Sequence, residues 1–205
     1  AVKVITTDGQ YIARQNETEA KKAAALIEKL VHDECTDFGV VTFSQTQLQC
    51  ISNHLSPAAK EWINNEKNTV LCDSLENVQG DQCSHLIISM GYGYNEENKF
   101  AKRFGPINQL HGEKRLNVLM SRAQKTITFI RSVSAEDFTI SENVGVDMLR
   151  QLMRYLDHVS SCKIETEGSS NVKKELRISS YSSAFELITD YQLFAARGYE
   201  VNLIF

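Results

Sequence analysis

Residues 73–89 have the sequence DSLENVQGDQCSHLIIS, and this stretch sets the fold class of the chain. Its end, LIIS, is a short apolar run that predicts a strand over residues 86–89. The residues just before it, TVLC, predict another strand over 69–72. A polar loop containing Gln79 and Gly80 lies between the two runs. Two short strands separated by a polar loop indicate that this stretch belongs to a sheet.

The same pattern continues on both sides of this stretch. We predict strands over residues 2–6, 39–43, 69–72, 86–89 and 126–131, and helices after residue 16, over 45–55, from 57, over 112–123 and over 144–159. Strands that alternate with helices favour an α/β domain whose mostly parallel sheet is flanked by helices. Ligands bind such sheets at the carboxyl ends of the strands. We therefore expect a site in the loops that follow residues 43, 73 and 89 and in the loop before 112.

Two helix starts carry specific signals. Asn16 has Glu19 three residues later, which is the arrangement of a capping box. Ser56 precedes Pro57, which places a capping hydroxyl before a proline at the first helical position.

Composition sets further limits on the function. The chain has 205 residues, 42% hydrophobic and 23% charged, which are globular proportions and exclude a disordered or collagen-like chain. The net charge of -4 argues against nucleic-acid binding driven by bulk charge, although it allows a local basic groove. The five cysteines contain no CxxC pair, so we expect reduced thiols and no zinc site. Apolar runs are too short to cross a membrane and the first residues do not resemble a signal peptide, so we expect a cytoplasmic protein without a membrane partner.

Residues 112–125, GEKRLNVLMSRAQK, carry the second informative pattern. Arg115 and Arg122 are seven residues apart, so a helix would place them on nearly the same face, about 10 Å apart along its axis. Two forked guanidinium groups on one helix suit phosphate recognition. A solvated charged face is an equally good interpretation of the spacing alone. For Gln79 and Gly80, a simple turn is the commoner interpretation.

The order of these segments resembles a known family. VQGDQCSHLIIS (78–89) and FGPINQLHGEKRLNVLMSRAQK (104–125) look like motifs V and VI of superfamily 1 helicases. Within that superfamily the strings are similar to those of the nonsense-mediated-decay-helicase-like group, superfamily 1B, in its bacterial type. FGVVTFSQTQLQCI (38–51) resembles motif IV, and NETEA (16–20) matches the NxxEA segment of the group. The resemblance covers residues 2 to about 158.

The resemblance implies that residues 1–159 form a second RecA-like domain, the carboxyl-terminal motor domain of an ATP-dependent helicase. In that family ATP and Mg2+ lie in a cleft between two RecA-like domains, and the first domain supplies the phosphate loop and the magnesium carboxylates. The chain has no GxxxxGK[ST] segment, so the amino-terminal RecA-like domain of the same parent chain is an expected partner. The isolated chain is therefore predicted not to hydrolyse ATP.

Residue roles follow from the same resemblance. Arg122 maps onto the arginine finger of motif VI, which stabilises charge on the transferred phosphoryl group. Arg115 maps onto either a second phosphate contact or a structural anchor. Gln79, Gly80 and Gln82 map onto the nucleotide contacts of motif V.

Two departures from the family pattern leave an alternative open. The family usually has Glu where this chain has Gln82 and Asp where it has Ser84. A glutamine loses the charge-assisted hydrogen bond that a carboxylate makes to a ribose hydroxyl. The alternative is a degenerate helicase-like module that binds nucleic acid or protein without ATPase activity.

The resemblance also implies that single-stranded DNA or RNA crosses the domain. Thr42 and Ser44 of motif IV and Ser74 of motif V are the predicted contacts to its backbone. A loop over 91–111 adds a mixture of basic and aromatic residues, for which an ordinary surface loop is the preferred alternative: Lys99, Phe100, Lys102, Arg103 and Phe104.

The end of the chain has a different character. Residues 160–174 have the composition of a linker, and a helix over 183–197 and a strand over 199–205 are predicted to follow. The segment 175–205 resembles the start of a PD-(D/E)XK nuclease-like domain, with Glu186 as a candidate carboxylate. A surface role for Glu186 is the preferred interpretation, because no acidic cluster follows it.

Overall fold

Seven strands and five helices form in the part of the chain that the computed structural model describes, residues 1–78, 82–100, 103–161, 173–177 and 200–204. The strands are β1 (Val2–Thr6), β2 (Asp37–Thr42), β3 (Thr69–Ser74), β4 (Cys83–Ser89), β5 (Ala123–Arg131), β6 (Lys173–Arg177) and β7 (Glu200–Ile204). The helices are α1 (Glu17–His32), α2 (Gln45–Asn53), α3 (Pro57–Ile63), α4 (Gly112–Met120) and α5 (Val144–Ser161), with single 3-10 turns at Gly105–Asn108 and Ala135–Asp137.

A five-stranded sheet with the order β1-β5-β4-β2-β3 is the centre of the fold, and all its pairings are parallel. Helices cover both faces of this sheet. This confirms the predicted α/β fold of RecA-like type with a parallel sheet flanked by helices.

Each face of the sheet has its own apolar core. On one face α1, α2 and α3 pack on β2, β4 and β5 through small and branched side chains, among them Ala20, Ala23, Ile27, Val40 and Ile87. On the other face α4 and α5 pack on the same strands. The side chains of β2 alternate between the two cores, with Val40 on one side and Val41 on the other, as the two-residue period of a strand requires.

The predicted helix starts are confirmed at atomic level. The Asn16 side chain accepts the backbone N–H of Glu19 at 3.1 Å, and the Ser56 hydroxyl accepts that of Ala59 at 3.1 Å. The capping box is only half formed, however. The backbone N–H of Asn16 donates to Gln47 and not to Glu19.

The predicted helix over 112–123 is wrong at its end. Helix α4 stops at Met120, and Ala123 already belongs to β5, where it pairs with Cys83. The backbone N–H of Cys83 donates to the carbonyl of Arg122 at 2.9 Å. The chain therefore joins the sheet at this point instead of forming another helical turn. Arg115 and Arg122 therefore do not share a helical face.

The carboxyl-terminal strands β6 and β7 form a separate parallel pair. Helix α5 ends at Ser161 and β6 begins at Lys173, both within the segment predicted as a linker, 160–174. The predicted helix over 183–197, including Glu186, lies outside the described residues. None of the described helices is both long and apolar enough to cross a bilayer.

Candidate functional site

Residues of the two segments that resemble motifs V and VI meet at the amino edge of the sheet, where β4 and β5 begin. The side-chain amide of Gln82 donates to the carbonyl of Ser121 at 3.3 Å. In return the amide of Gln124 donates to the Gln82 side-chain oxygen at 3.4 Å. The main chains are joined one residue further on, where Cys83 N–H donates to Arg122 O. The two segments thus form one surface, although about forty residues separate them in the sequence.

Arg122 lies in the tight connection between α4 and β5, half-buried. Its Nε donates to the carbonyl of Val118 at 3.0 Å, and its Nη2 donates to the hydroxyl of Ser121 at 3.2 Å. The guanidinium is thus held back against the last turn of α4.

Arg115 has a different environment. Its guanidinium donates to the carbonyls of Pro106 at 3.0 Å and Leu110 at 3.5 Å and to the side chain of Gln109 at 3.3 Å. These three acceptors all belong to the segment that precedes α4. The contacts favour the anchor interpretation of Arg115 over a direct phosphate contact.

The position of this surface differs from the expectation for parallel sheets. We expected the site at the carboxyl ends of the strands, but Gln82 and Arg122 lie at the amino ends of β4 and β5. Gln79 and Gly80 lie outside the described residues. Among the described residues, no three His, Cys, Asp or Glu side chains are grouped so that they could hold a metal ion.

The predicted nucleic-acid contacts lie at the opposite, carboxyl edge. Thr42 pairs in register with Ser74 on one side and with Ser89 on the other, so three hydroxyl residues form one row across β3, β2 and β4. Thr42 and Ser89 are fully buried and Ser74 is nearly so. The Thr42 hydroxyl donates to the carbonyl of Ser44 at 2.8 Å.

Ser44 is the most accessible of the predicted contacts, and its hydroxyl caps α2 by accepting the N–H of Gln47 at 3.2 Å. Of the three predicted contacts, Ser44 at the α2 amino terminus is therefore the one that a phosphate could reach, because the Thr42 and Ser74 side chains are buried.

A buried carboxylate near this edge was not predicted as a site residue. Glu19 has no exposed surface, and its oxygens accept hydrogen bonds from Ser89, Gly91, Ser132 and Asn16. Burial raises the pKa of Glu19 from 4.5 to about 7, against the lowering effect of these hydrogen bonds. The sequence signal was the NxxEA string itself, which we interpreted as a helix cap and as part of the family resemblance, but not as a site.

The loop after β4 is not an open stacking platform. Phe104 is buried, and it packs between Tyr92, Phe100 and Phe138 at ring-centroid distances of 5.1–5.8 Å. Lys99 pairs with Glu97 at 2.7 Å. Arg103 is exposed, and Lys102 lies outside the described residues. The aromatic residues of this loop mainly build the core under it.

Comparisons with known proteins agree with this fold. The chain is 26% identical over 209 residues to an uncharacterized ATP-dependent helicase of Mycoplasma genitalium, covering 96% of this chain and 18% of that protein. It is also 26% identical over 211 residues to the homologous uncharacterized ATP-dependent helicase of Mycoplasma pneumoniae, covering 97% of this chain and again 18% of the relative. The chain thus spans less than a fifth of the length of these relatives. Residues 5–134, more than half of the chain, match the family described as the AAA domain, and the chain belongs to that family.

Proposed function

We propose that the chain is the second RecA-like domain of a superfamily 1B helicase, of the nonsense-mediated-decay-helicase-like group. It would supply motifs IV, V and VI to an ATP cleft that another RecA-like domain of the same parent chain completes. Coupled to ATP hydrolysis, the pair of domains would move along single-stranded DNA or RNA. The names and the greater length of the two Mycoplasma relatives support a larger parent protein that uses ATP.

One observation supports the proposal: the segments that we assign to motifs V and VI are joined into a single surface at the amino edge. Gln82 contacts both Ser121 and Gln124, and the Cys83 amide fixes the Arg122 carbonyl. A nucleotide contacted by motif V would therefore lie next to the guanidinium of motif VI. A helicase cleft needs this proximity, because the arginine must reach the phosphoryl group while motif V binds the same nucleotide.

Arg122 is the proposed arginine finger. Its guanidinium is anchored at Nε, and the rigid start of β5 follows it directly. Rotation about the side-chain torsions would move the outer nitrogens from the Ser121 hydroxyl to a phosphate oxygen. Arg115 would act indirectly, by holding the segment 106–110 against the start of α4.

Gln82 is the proposed contact to the ribose of ATP, with Gln79 and the backbone N–H of Gly80 facing the phosphates. The Gln82 amide is exposed and has both a donor and an acceptor, which suits a hydroxyl. The carboxylates that bind Mg2+ would come from the other RecA-like domain, since the described residues of this chain offer no such cluster.

Single-stranded nucleic acid is proposed to cross the carboxyl edge, near Thr42, Ser44 and Ser74. Ser44 and the amino terminus of α2 would contact phosphates directly, while the buried Thr42 and Ser74 would shape the loops that carry these groups. Such contacts are independent of sequence.

The test is steady-state ATPase of the full-length parent protein with Arg122→Ala, beside Lys125→Ala as the matched control. Lys125 is an exposed cation three residues further along the chain, on β5. Loss of an arginine finger lowers kcat by about 10³–10⁵. We expect that loss for Arg122→Ala and wild-type kcat for Lys125→Ala; a kcat near wild type in both variants contradicts the proposal.

A second candidate function is a binding module without ATPase activity. Gln82 favours it, because the family usually has Glu at this position. Ser84 does not add to this candidate, because its side chain is buried and its N–H donates to Asp37 at 3.0 Å inside the sheet. A parent protein that binds single strands but shows no nucleic-acid-dependent ATP hydrolysis, with Gln82→Glu failing to restore any, would select the binding module.

A further inference from the structure

We propose that Glu19 is a positioning residue that fixes the nucleic-acid-facing loops at the carboxyl edge of the sheet, an inference that rests on the function proposed above. It acts through hydrogen bonds to the chain segments that leave β4 and β5 and enter α1, and through Ser89 it is linked to Gln47 of α2. We name Glu19, Asn16, Gln47, Ser89 and Ser132 the Glu19 node.

The geometry of the node is specific. One Glu19 oxygen accepts the Ser89 hydroxyl at 2.9 Å and the Gly91 N–H at 2.8 Å. The other accepts the Ser132 hydroxyl at 3.0 Å and the Asn16 side-chain amide at 3.4 Å. A carboxylate is the side chain that can accept on both oxygens at once.

Each partner brings a different part of the chain to Glu19. Ser89 ends β4, Gly91 follows it, Ser132 follows β5, and Asn16 caps α1. The Ser89 hydroxyl also accepts the Gln47 amide at 3.0 Å, which extends the node to α2 and so to motif IV.

Packing does not explain a carboxylate at this position. The remaining inward residues of α1, Ala20, Ala23, Ala24 and Ile27, are apolar and already hold the helix on the sheet. A buried carboxylate costs free energy unless hydrogen bonds compensate it. Its contribution is therefore directional, because it fixes where the Gly91 amide and the Ser89 and Ser132 hydroxyls point.

The electrostatic environment of the node is uncharged. Among the described residues Glu19 has no ion pair, and its hydrogen-bond partners are neutral. The Tyr92 phenol interacts electrostatically with Glu19, and burial keeps the pKa of Tyr92 well above 10. Glu19 thus depends on hydrogen bonds alone, which makes the node sensitive to loss of a single donor or acceptor.

Backbone geometry around Gly91 fits this role. Gly91 has φ +69, and an added Cβ would lie 3.0 Å from Gln47 Cγ. Two residues on, a Cβ at Gly93 would lie 2.7 Å from the Gly9 carbonyl. The loop after β4 is therefore pressed onto the segment before α1 and onto α2. The Gly91–Glu19 hydrogen bond lies at the centre of this contact.

Peptide-resolved hydrogen exchange and single-strand affinity of the full-length parent test the inference, with oligo-dT and oligo-U as probes. The variants are Ser89→Ala, Glu19→Ala and Glu19→Gln. Glu17→Gln is the matched control, since Glu17 lies on the same turn of α1 with its side chain 60% exposed. Glu19→Gln keeps one acceptor oxygen and has the same shape.

We expect Ser89→Ala and Glu19→Ala to speed exchange in residues 43–47 and 89–94 while β2 and β5 stay protected, and to weaken single-strand binding by about tenfold. Glu19→Gln, which keeps one of the two acceptor oxygens, should have an affinity between those of Glu19→Ala and wild type, and Glu17→Gln should match wild type. Unchanged exchange in both loops overturns the inference, as does faster exchange with wild-type affinity. If wild type itself binds no single strand, the proposed function fails first, and this role fails with it.

Discussion

The side chain of Gln47 pairs with the backbone of Asn16 through both of its polar atoms. The Gln47 Oε1 accepts the Asn16 N–H at 2.7 Å, and the Gln47 Nε2 donates to the Asn16 carbonyl at 3.0 Å. A side-chain amide of α2 thereby takes the place of a peptide group beside the start of α1. Both residues are fully buried, so water cannot replace either bond.

Replacing Gln47 by Ala should destabilise the fold, because it leaves the buried N–H of Asn16 without its acceptor, while the Asn16 carbonyl keeps the N–H of Ala20. Each buried group left unsatisfied costs about 1–3 kcal/mol. Gln49→Ala is the matched control, since Gln49 lies two residues further along α2 with an exposed side chain. Urea unfolding should show a clear loss for Gln47→Ala and almost none for Gln49→Ala; equal losses would refute the pairing.

Stability should depend on pH through Glu19. Burial raises the pKa of its carboxyl group from 4.5 to about 7 in the folded state. Between these two values the folded state holds a proton that the unfolded chain has released, so the free energy of unfolding falls as the pH rises through this window. Across the whole window the free energy of unfolding falls by about 3 kcal/mol because of Glu19.

The measurement compares urea unfolding at pH 5 and pH 8 for wild type and Glu19→Gln. The drop between the two pH values should be smaller in Glu19→Gln, because its amide does not titrate. Glu17→Gln should keep the wild-type drop, since the Lys21 hydrogen bond and charge lower the pKa of Glu17 out of this window. A drop that is the same in Glu19→Gln and wild type would falsify the assignment.

The ion pair between Arg131 and Asp157 should be stabilising only as a pair. Arg131 Nη1 lies 2.6 Å from Asp157 Oδ1, and the arginine side chain is 3% exposed. Asp157→Asn leaves a buried guanidinium without its ionic partner. We expect a loss of about 3 kcal/mol of stability, the lower end for a broken buried pair, because the aspartate is partly exposed. The double variant Arg131→Met/Asp157→Asn should lose less stability than Asp157→Asn alone. The measurement is thermal unfolding of wild type, Asp157→Asn and the double variant. A double variant that is less stable than Asp157→Asn would contradict the prediction.

Gly145→Ala should separate α5 from the segment before α4. An added Cβ would lie 2.3 Å from the Ile107 carbonyl oxygen, a distance that only a backbone shift can relieve. We expect the free energy of unfolding to fall by about 3 kcal/mol or more. Gly105→Ala is the comparison: its nearest neighbour is 4.0 Å away and its φ is +55, so only the backbone penalty of about 1–2 kcal/mol applies. Melting temperatures that fall equally would contradict the close packing at Gly145.

Local signals in the sequence predicted the strands and the helix starts. The branched run before Ser44 and the cap residues Asn16 and Ser56 act through neighbours in the chain, so their structure follows from local rules. The end of α4 could not be predicted in this way. Arg122 leaves the helix because Cys83, which lies on a distant strand, binds its carbonyl.

The same distinction applies to the candidate sites. Motif order could indicate that Gln82 and Arg122 belong together, but not that they lie at the amino edge of the sheet, because strand order is a property of the whole fold. Glu19 was predicted to return a hydrogen bond to Asn16, whereas Gln47 takes that place and frees the carboxylate for Ser89 and Ser132. Which acceptor binds such an N–H depends on the folded arrangement of distant residues and not on the local sequence.

The position of β1 in the sheet has a consequence for synthesis on the ribosome. Among the described strands β1 pairs with β5 alone, and Val2 lies opposite Ile127, 125 residues later. At about 5–20 residues per second, the first strand waits between about 6 and 25 s for its partner to be translated. β2, β3 and β4 can pair during this time, which leaves one side of β4 open next to an unpaired β1. Both are free edges that invite strand exchange between nascent chains, and the arrival of β5 closes them together.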